Sequence, residues 1–232
     1  MENLLEVNNV TKRINGKDVL KGISFNLEKG KVLGIMGPNG QGKTTLLNTI
    51  QGFLKADNGE IKIDGNKLGF HTKNDVSFLQ DTNIFNKSMR INNAINLYSD
   101  FFYDFNKEKM DYYLNFMNLD SSLRIRELSK GMMEKFNLSL TLSRDTKLYM
   151  LDEPISGVDP VSREKILDAI LEKLSEDSSM IITTHYIGEL ERVFDEVIFL
   201  GDGMVIEQGD AEELRAKHKG SIDEIYRKVF AE

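Results

Sequence analysis

Val32–Leu33–Gly34–Ile35–Met36–Gly37–Pro38–Asn39–Gly40–Gln41–Gly42–Lys43–Thr44–Thr45–Leu46–Leu47 is the stretch on which the fold turns. An apolar β-like run breaks into a glycine-rich turn, and helical spacing follows, with Leu46, Leu47 and Ile50 on one face. The segment from Gly37 to Thr44 fits G-x-x-x-x-G-K-[ST] in the strand–loop–helix context that a phosphate-binding loop requires. Glycines let backbone N–H groups converge on phosphate oxygens, and the helix N-terminus adds positive potential. Lys43 is placed to reach β- and γ-phosphates and Thr44 Oγ to ligate Mg²⁺, while Gly37, Pro38, Asn39, Gly40, Gln41, Gly42 and Thr45 complete the cradle.

A second apolar run, Leu148–Tyr149–Met150–Leu151, delivers Asp152 and Glu153. Beside a phosphate loop, Asp152 reads as the acid that holds Mg²⁺. Glu153, pointing elsewhere, reads as the general base on the attacking water. Taken alone, such a run reads rather as a buried strand that ends in two solvated acids.

The rest of the chain fits around these two strands. Leu4–Val10 and Val19–Leu27 read as strands about an Asn15–Gly16 turn. Glu60–Ile63 and Val76–Leu79 read as further strands. From about 84 to 143 helical periodicity and dense aromatics (Phe101, Phe102, Tyr103, Phe105, Tyr112, Tyr113, Phe116) predict an inserted helical lobe. Asp159–Pro160 starts a helix as N-cap and first-turn proline. A strand at Met180–Thr183, a helix through Leu190, and a hairpin around Gly201–Asp202–Gly203 precede two short closing helices.

Composition bounds the reading. The chain has 232 residues, 40% hydrophobic and 29% charged, enough for one core with a smaller lobe. A formal charge of -7 disfavours a surface built on nucleic-acid phosphates. There are no cysteines, and the 3 histidines (His71, His185, His218) are scattered, so neither thiol chemistry nor an imidazole metal site is expected. The first residues lack the basic flank and apolar stretch of a signal peptide. Apolar runs such as Val197–Leu200 fall far short of the roughly 20 residues a membrane span needs. The chain is therefore expected to be soluble and cytoplasmic, linked to a membrane only through partners.

Leu128–Ser129–Lys130–Gly131–Met132, between the two motifs and ahead of a helical stretch, narrows the class. With it the chain resembles the nucleotide-binding domain of ABC transporters over nearly its full length. The resemblance implies an α/β P-loop NTPase (RecA-like) core with an N-terminal antiparallel β-subdomain and an inserted α-helical subdomain. It implies a single domain over 1–232, with core and β-subdomain at about 1–83 and 144–232 and the helical subdomain at about 84–143. It implies that Ser129 and the Gly131 backbone N–H complete the γ-phosphate cage of an opposite subunit. Gln80 resembles the Q-loop glutamine that senses Mg²⁺ and γ-phosphate. Ser156–Gly157–Val158–Asp159 resembles the D-loop between paired subunits, and Thr183–Thr184–His185 the switch whose histidine meets the γ-phosphate.

The pattern has departures. Ile14 stands where the family usually stacks an aromatic on adenine, so it either covers the base without a π-face or simply packs in the hairpin. Lys130 replaces the first signature glycine, its side chain expected toward solvent or near the γ-phosphate, and Met132 cannot donate to ribose. The resemblance implies ATP and Mg²⁺ as ligands and a head-to-tail dimer with a second ATP-binding subunit, identical or related. It also implies integral-membrane permease subunits on other chains, no nucleic acid, and a place on the inner face of the cell membrane. The signature and the aromatic stretch resemble bacterial exporters. The alternative is a soluble ABC ATPase of the iron–sulfur assembly type.

Overall fold

The computed structural model describes residues 2–79, 85–174 and 178–231. β1 (Asn3–Ile14) and β2 (Lys17–Glu28) form a hairpin closed by Asn15 and Gly16, both at positive φ (50° and 80°), the conformation a two-residue turn of this hand demands. β1 runs beyond Val10, where alternation in the sequence stops. Val7 pairs with Phe25 and Val10 with Ile23, so a bulge around Asn9 (φ 49°) shifts the register before Ile14.

β3 (Val32–Met36) leads into α1 (Lys43–Ile50), and β4 (Asn58–Ile63) and β5 (Asn66–Lys67) complete a four-stranded sheet in the order β2-β1-β4-β5. β6 (Val76–Leu79) is followed by α2 (Ile91–Phe101), α3 (Lys107–Phe116) and α4 (Lys130–Leu142). Then come β7 (Leu148–Asp152), α5 (Pro160–Lys173), β8 (Ser179–Thr184), α6 (Ile187–Leu190), β9 (Glu196–Gly201), β10 (Met204–Asp210), α7 (Ala211–His218) and α8 (Ile222–Phe230). The second sheet runs β10-β9-β3-β8-β7-β6, parallel except for β10.

This sheet divides two cores. β3, β7 and β8 are buried throughout, as parallel strands covered on both faces are. Their side chains alternate between the cores: Tyr149, Leu151, Met180 and Ile182 join the helices α2 to α5, while Leu148, Met150 and Ile181 join α1 and the first sheet. The aromatics of the helical lobe divide too. Tyr113 is buried and Phe102 packs beneath a guanidinium, but Phe101 and Tyr103 are largely exposed. Among the described residues, no helix is long and apolar enough to cross a membrane.

Arg144 joins the lobe to the sheet. It is buried, its Nη1 donates to Val76 O at 2.7 Å, its Nη2 reaches Asp104 Oδ2 at 2.9 Å, and its Cζ lies 4.1 Å from the Phe102 ring centre. Asp104→Asn, which leaves a buried cation with a neutral partner, is expected to cost about 2 kcal/mol. Urea unfolding followed by circular dichroism reads that loss; an unchanged midpoint would show that solvent compensates the guanidinium.

Candidate active site

Ligands of open parallel sheets sit beyond the carboxyl ends of the strands. β3, β8 and β7 are adjacent, with Met36 opposite Thr184 and Asp152 opposite Thr183, so the segments that leave these strands emerge together. A phosphate loop, two acids and a histidine thus meet at one edge.

The loop is shaped by close approaches. A Cβ on Gly37 would fall 2.1 Å from Leu200 O, so only glycine lets the chain leave β3 there. Gly42 sits at φ 101° and caps α1 without a side chain, which leaves the helix N-terminus open to an anion. Gln41 Oε1 accepts from Asp202 N at 2.5 Å and anchors the loop to the β9–β10 turn. Lys43 Nζ folds back to donate to Gly37 O at 2.7 Å and Pro38 O at 3.3 Å. The Lys43 side chain is 7% exposed, and desolvation lowers the pKa of its amine below the ordinary lysine value although Glu153 and Asp152 pull it upward.

Thr44 Oγ1 donates to Asp152 Oδ2 at 2.7 Å, and Thr183 Oγ1 donates to Asp152 Oδ1 at 2.5 Å. Asp152 is 8% exposed, so these hydroxyls satisfy a carboxylate that water barely reaches. Glu153 has φ 52°, a left-handed conformation uncommon for a residue with a side chain. Its N–H is held by Thr183 O at 3.1 Å and Thr183 Oγ1 at 3.2 Å. Its Oε2 accepts from His185 N at 3.2 Å and lies 2.7 Å from His185 Nδ1; its Oε1 lies 3.9 Å from Lys43 Nζ.

Other expected site residues stand outside this hydrogen-bonded group. Ser129 caps α4, its Oγ accepting from Met132 N at 3.2 Å, and Gly131 occupies the first turn. Ser129 and Lys130 line a cavity of about 170 Å³ that also touches Asp152 and Glu153 of the same chain. Lys130 is largely exposed, as expected, but it is not simply directed at solvent. Its Nζ and Cε lie 2.6 and 2.7 Å from where a Cβ on Gly157 would stand, and Nζ is 3.7 Å from Glu134. Asp159 caps α5, accepting from Ser162 N at 3.0 Å; the Ser162 hydroxyl first, and then this backbone N–H, hold its carboxyl below the usual pKa. Ile14 ends β1, half-buried, and belongs to neither apolar core. Gln80 lies outside the described residues.

Thr183, named in the sequence only as the start of the switch stretch, contacts both acids. A hydroxyl ending an apolar strand was the available signal. Its partner emerges only from the β7–β8 register.

The family model described as "ABC transporter" matches residues 20–156. The chain is 30% identical over 218 residues to the ABC transporter ATP-binding protein YtrB of Bacillus subtilis, covering 93% of this chain and 75% of that one. It is 27% identical over 232 residues to the Nod factor export ATP-binding protein I of Ralstonia nicotianae, covering 96% of this chain and 72% of that one. A solved structure described as the ATP binding subunit of an ABC transporter superposes with a TM-score of 0.87 at 24% identity, covering 97% of this chain and 99% of that one. A phosphate loop facing paired acids and a histidine, inside a chain with these relatives, leaves one conclusion: the chain belongs to the ATP-binding subunits of ABC transporters, which hydrolyse ATP to energise transport.

Proposed function

We propose that this chain energises export through separate integral-membrane permease subunits, docked at the cytoplasmic face of the membrane and paired with a second ATP-binding subunit, identical or related. The observation that carries its catalytic half is the convergence of Lys43, Thr44, Asp152, Glu153, Thr183 and His185 at one sheet edge. Support for export is the likeness to a Nod factor export protein, together with the exporter-like signature Leu128–Met132.

In this reading Gly37 to Thr45 cradle the phosphates, Lys43 meets the β- and γ-phosphates, and Glu153 takes a proton from the attacking water. His185, fixed against Glu153, faces the γ-phosphate. Ser129 and Gly131 complete the partner's site, with Asp159 and its loop running between subunits. The single domain spans 1–232, with its helical subdomain at about 84–143. Mg²⁺ suits the oxygen donors present: Thr44 Oγ1 and Asp152 Oδ2 lie 2.7 Å apart, and Gln80 is the further candidate. Among the described residues no group of three His, Cys, Asp or Glu could hold a metal, so phosphate oxygens and water would supply the other ligands. When bound, the ion neutralises charge on the phosphates.

Purification of the tagged chain from membranes tests the partner claim. Integral-membrane proteins encoded beside it should co-purify, and their deletion should raise cellular retention of the exported compound. Recovery with iron–sulfur assembly proteins and no membrane protein would overturn the proposal.

Ile14 sets a smaller expectation. With an aliphatic residue at the base, Ile14→Tyr should tighten ATP binding by roughly three- to tenfold, the worth of one added stacking contact. Fluorescent-nucleotide competition measures it. Equal affinity for ATP in parent and variant would remove Ile14 from the base site.

A further inference from the structure

Arg163, on the first turn of α5, makes contacts that the reaction as proposed does not use. Its side chain is one-fifth exposed. Nε donates to Val158 O at 2.9 Å, inside the Ser156–Asp159 loop. Nη1 donates to Glu189 Oε1 at 2.5 Å, on α6 just beyond the switch. The guanidinium Cζ stands 4.6 Å from the Tyr186 ring centre. Tyr186 in turn lies 4.1 Å, centre to centre, from the His185 ring, and His185 Nδ1 is 2.7 Å from Glu153.

One side chain therefore bridges two loops that are distant in sequence. A guanidinium can do this because its planar fork donates in one plane while its face covers an aromatic ring. A second, separate side chain touches the same loop. Lys130, at the start of the signature helix α4, rests on Gly157, the residue before Val158. Val158 O, Arg163, Tyr186 and His185 thus form a continuous chain of contacts from the Ser156–Asp159 loop to the switch ring.

We propose that Arg163 is a positioning residue for His185: it reads the position of the Ser156–Asp159 loop and sets the switch ring against Glu153. The proposal rests on the assignment of Glu153 and His185 to hydrolysis. It makes one subunit's switch responsive to whatever engages this loop, which in the proposed dimer is the opposite subunit.

Two measurements on the full chain test it. The chain has only 3 histidines, so each ring Hε1 resonance can be assigned by substitution. Arg163→Ala should shift the His185 resonance and leave those of His71 and His218 in place. It should also lower kcat for ATP about tenfold while KM stays within twofold, because ring placement and not nucleotide binding is lost. Arg163→Lys, which keeps charge for Glu189 but loses the fork, should recover less than half of the rate. An unmoved His185 signal, or a kcat within twofold of the parent, overturns the proposal.

Should Arg163→Ala fail to fold, Glu189→Gln decides, since it loosens the guanidinium without deleting it. It should move the same resonance and cost about threefold in kcat; no change in either overturns the proposal. Glu153→Gln separates the two levels of inference. If that variant hydrolyses ATP normally, the site assignment is wrong. If it is inactive while Arg163→Ala is normal, only the coupling is wrong.

Discussion

Glu153→Gln is expected to slow ATP hydrolysis by about 10²–10³-fold and leave nucleotide affinity within twofold of the parent. The substitution keeps the shape of a side chain held at fixed points. The Glu153 backbone is pinned by Thr183 at 3.1 and 3.2 Å, and its Oε2 by the His185 N–H at 3.2 Å. An amide retains an acceptor for that N–H, so the local structure should survive. What it lacks is basicity: an amide oxygen cannot take the proton of an attacking water at neutral pH. The loss should therefore fall on kcat alone, the pattern of an interaction made only in the transition state.

A second consequence follows from slow turnover. If ATP closes two subunits and hydrolysis reopens them, blocking hydrolysis should accumulate the closed pair. Light scattering with ATP should show a dimer in Glu153→Gln that ADP does not produce. Phosphate release within threefold of the parent would remove Glu153 from the base role. A dead enzyme that also fails to bind ATP would show that the left-handed turn at Glu153, and not its carboxylate, is what the substitution disturbs.

How far the site could be read from the sequence depends on how local each requirement is. The phosphate loop was legible because its demands are met within a few consecutive residues: glycines at tight approaches, then a lysine at a helix start. Asp152 and Glu153 were legible because an apolar run announces a buried strand and the phosphate loop upstream gives the acids at its end a task. Thr183 was not, since its value lies in standing opposite Asp152 across parallel strands far apart in sequence. The strand order β10-β9-β3-β8-β7-β6 is of the same kind. Parallel neighbours carry near-identical apolar runs, so the pattern says buried strand without saying beside which. β1 shows a third limit. Its bulge at Asn9 breaks the two-residue alternation, and the strand continues to Ile14 beyond the point where the pattern ends. Lys130 shows a fourth, because only the fold brings Gly157 beneath it.

Lys43→Ala is expected to weaken ATP binding by about 100-fold or more, about 2.7 kcal/mol, without destabilising the nucleotide-free chain. The usual cost of deleting a buried charged group does not apply here. Burial lowers the pKa of this amine, chiefly by desolvation, so without nucleotide the folded chain holds its charge at a penalty that Glu153 and Asp152 only partly offset. The sign follows from linkage. A lysine whose folded pKa lies below its unfolded value makes the fold less stable while charged, and stability rises as pH climbs through the lowered value. Alanine removes that penalty at neutral pH, so the nucleotide-free variant should melt no lower than the parent, and any gain should fade at alkaline pH. Polyphosphate reverses the balance. An anion arriving at the open N-terminus of α1 gives the ammonium a partner better than the carbonyls of Gly37 and Pro38 that it now touches. The benefit thus appears only in the complex, and its loss should appear only there. Thermal unfolding with and without ATP separates the cases, since at a fixed ligand concentration the rise in midpoint grows with the logarithm of affinity. The parent should be stabilised by millimolar ATP and the variant should not. A nucleotide-free variant melting several degrees below the parent would mean that Lys43 braces the loop, and an undiminished ATP shift would mean that the backbone N–H groups alone hold the phosphates.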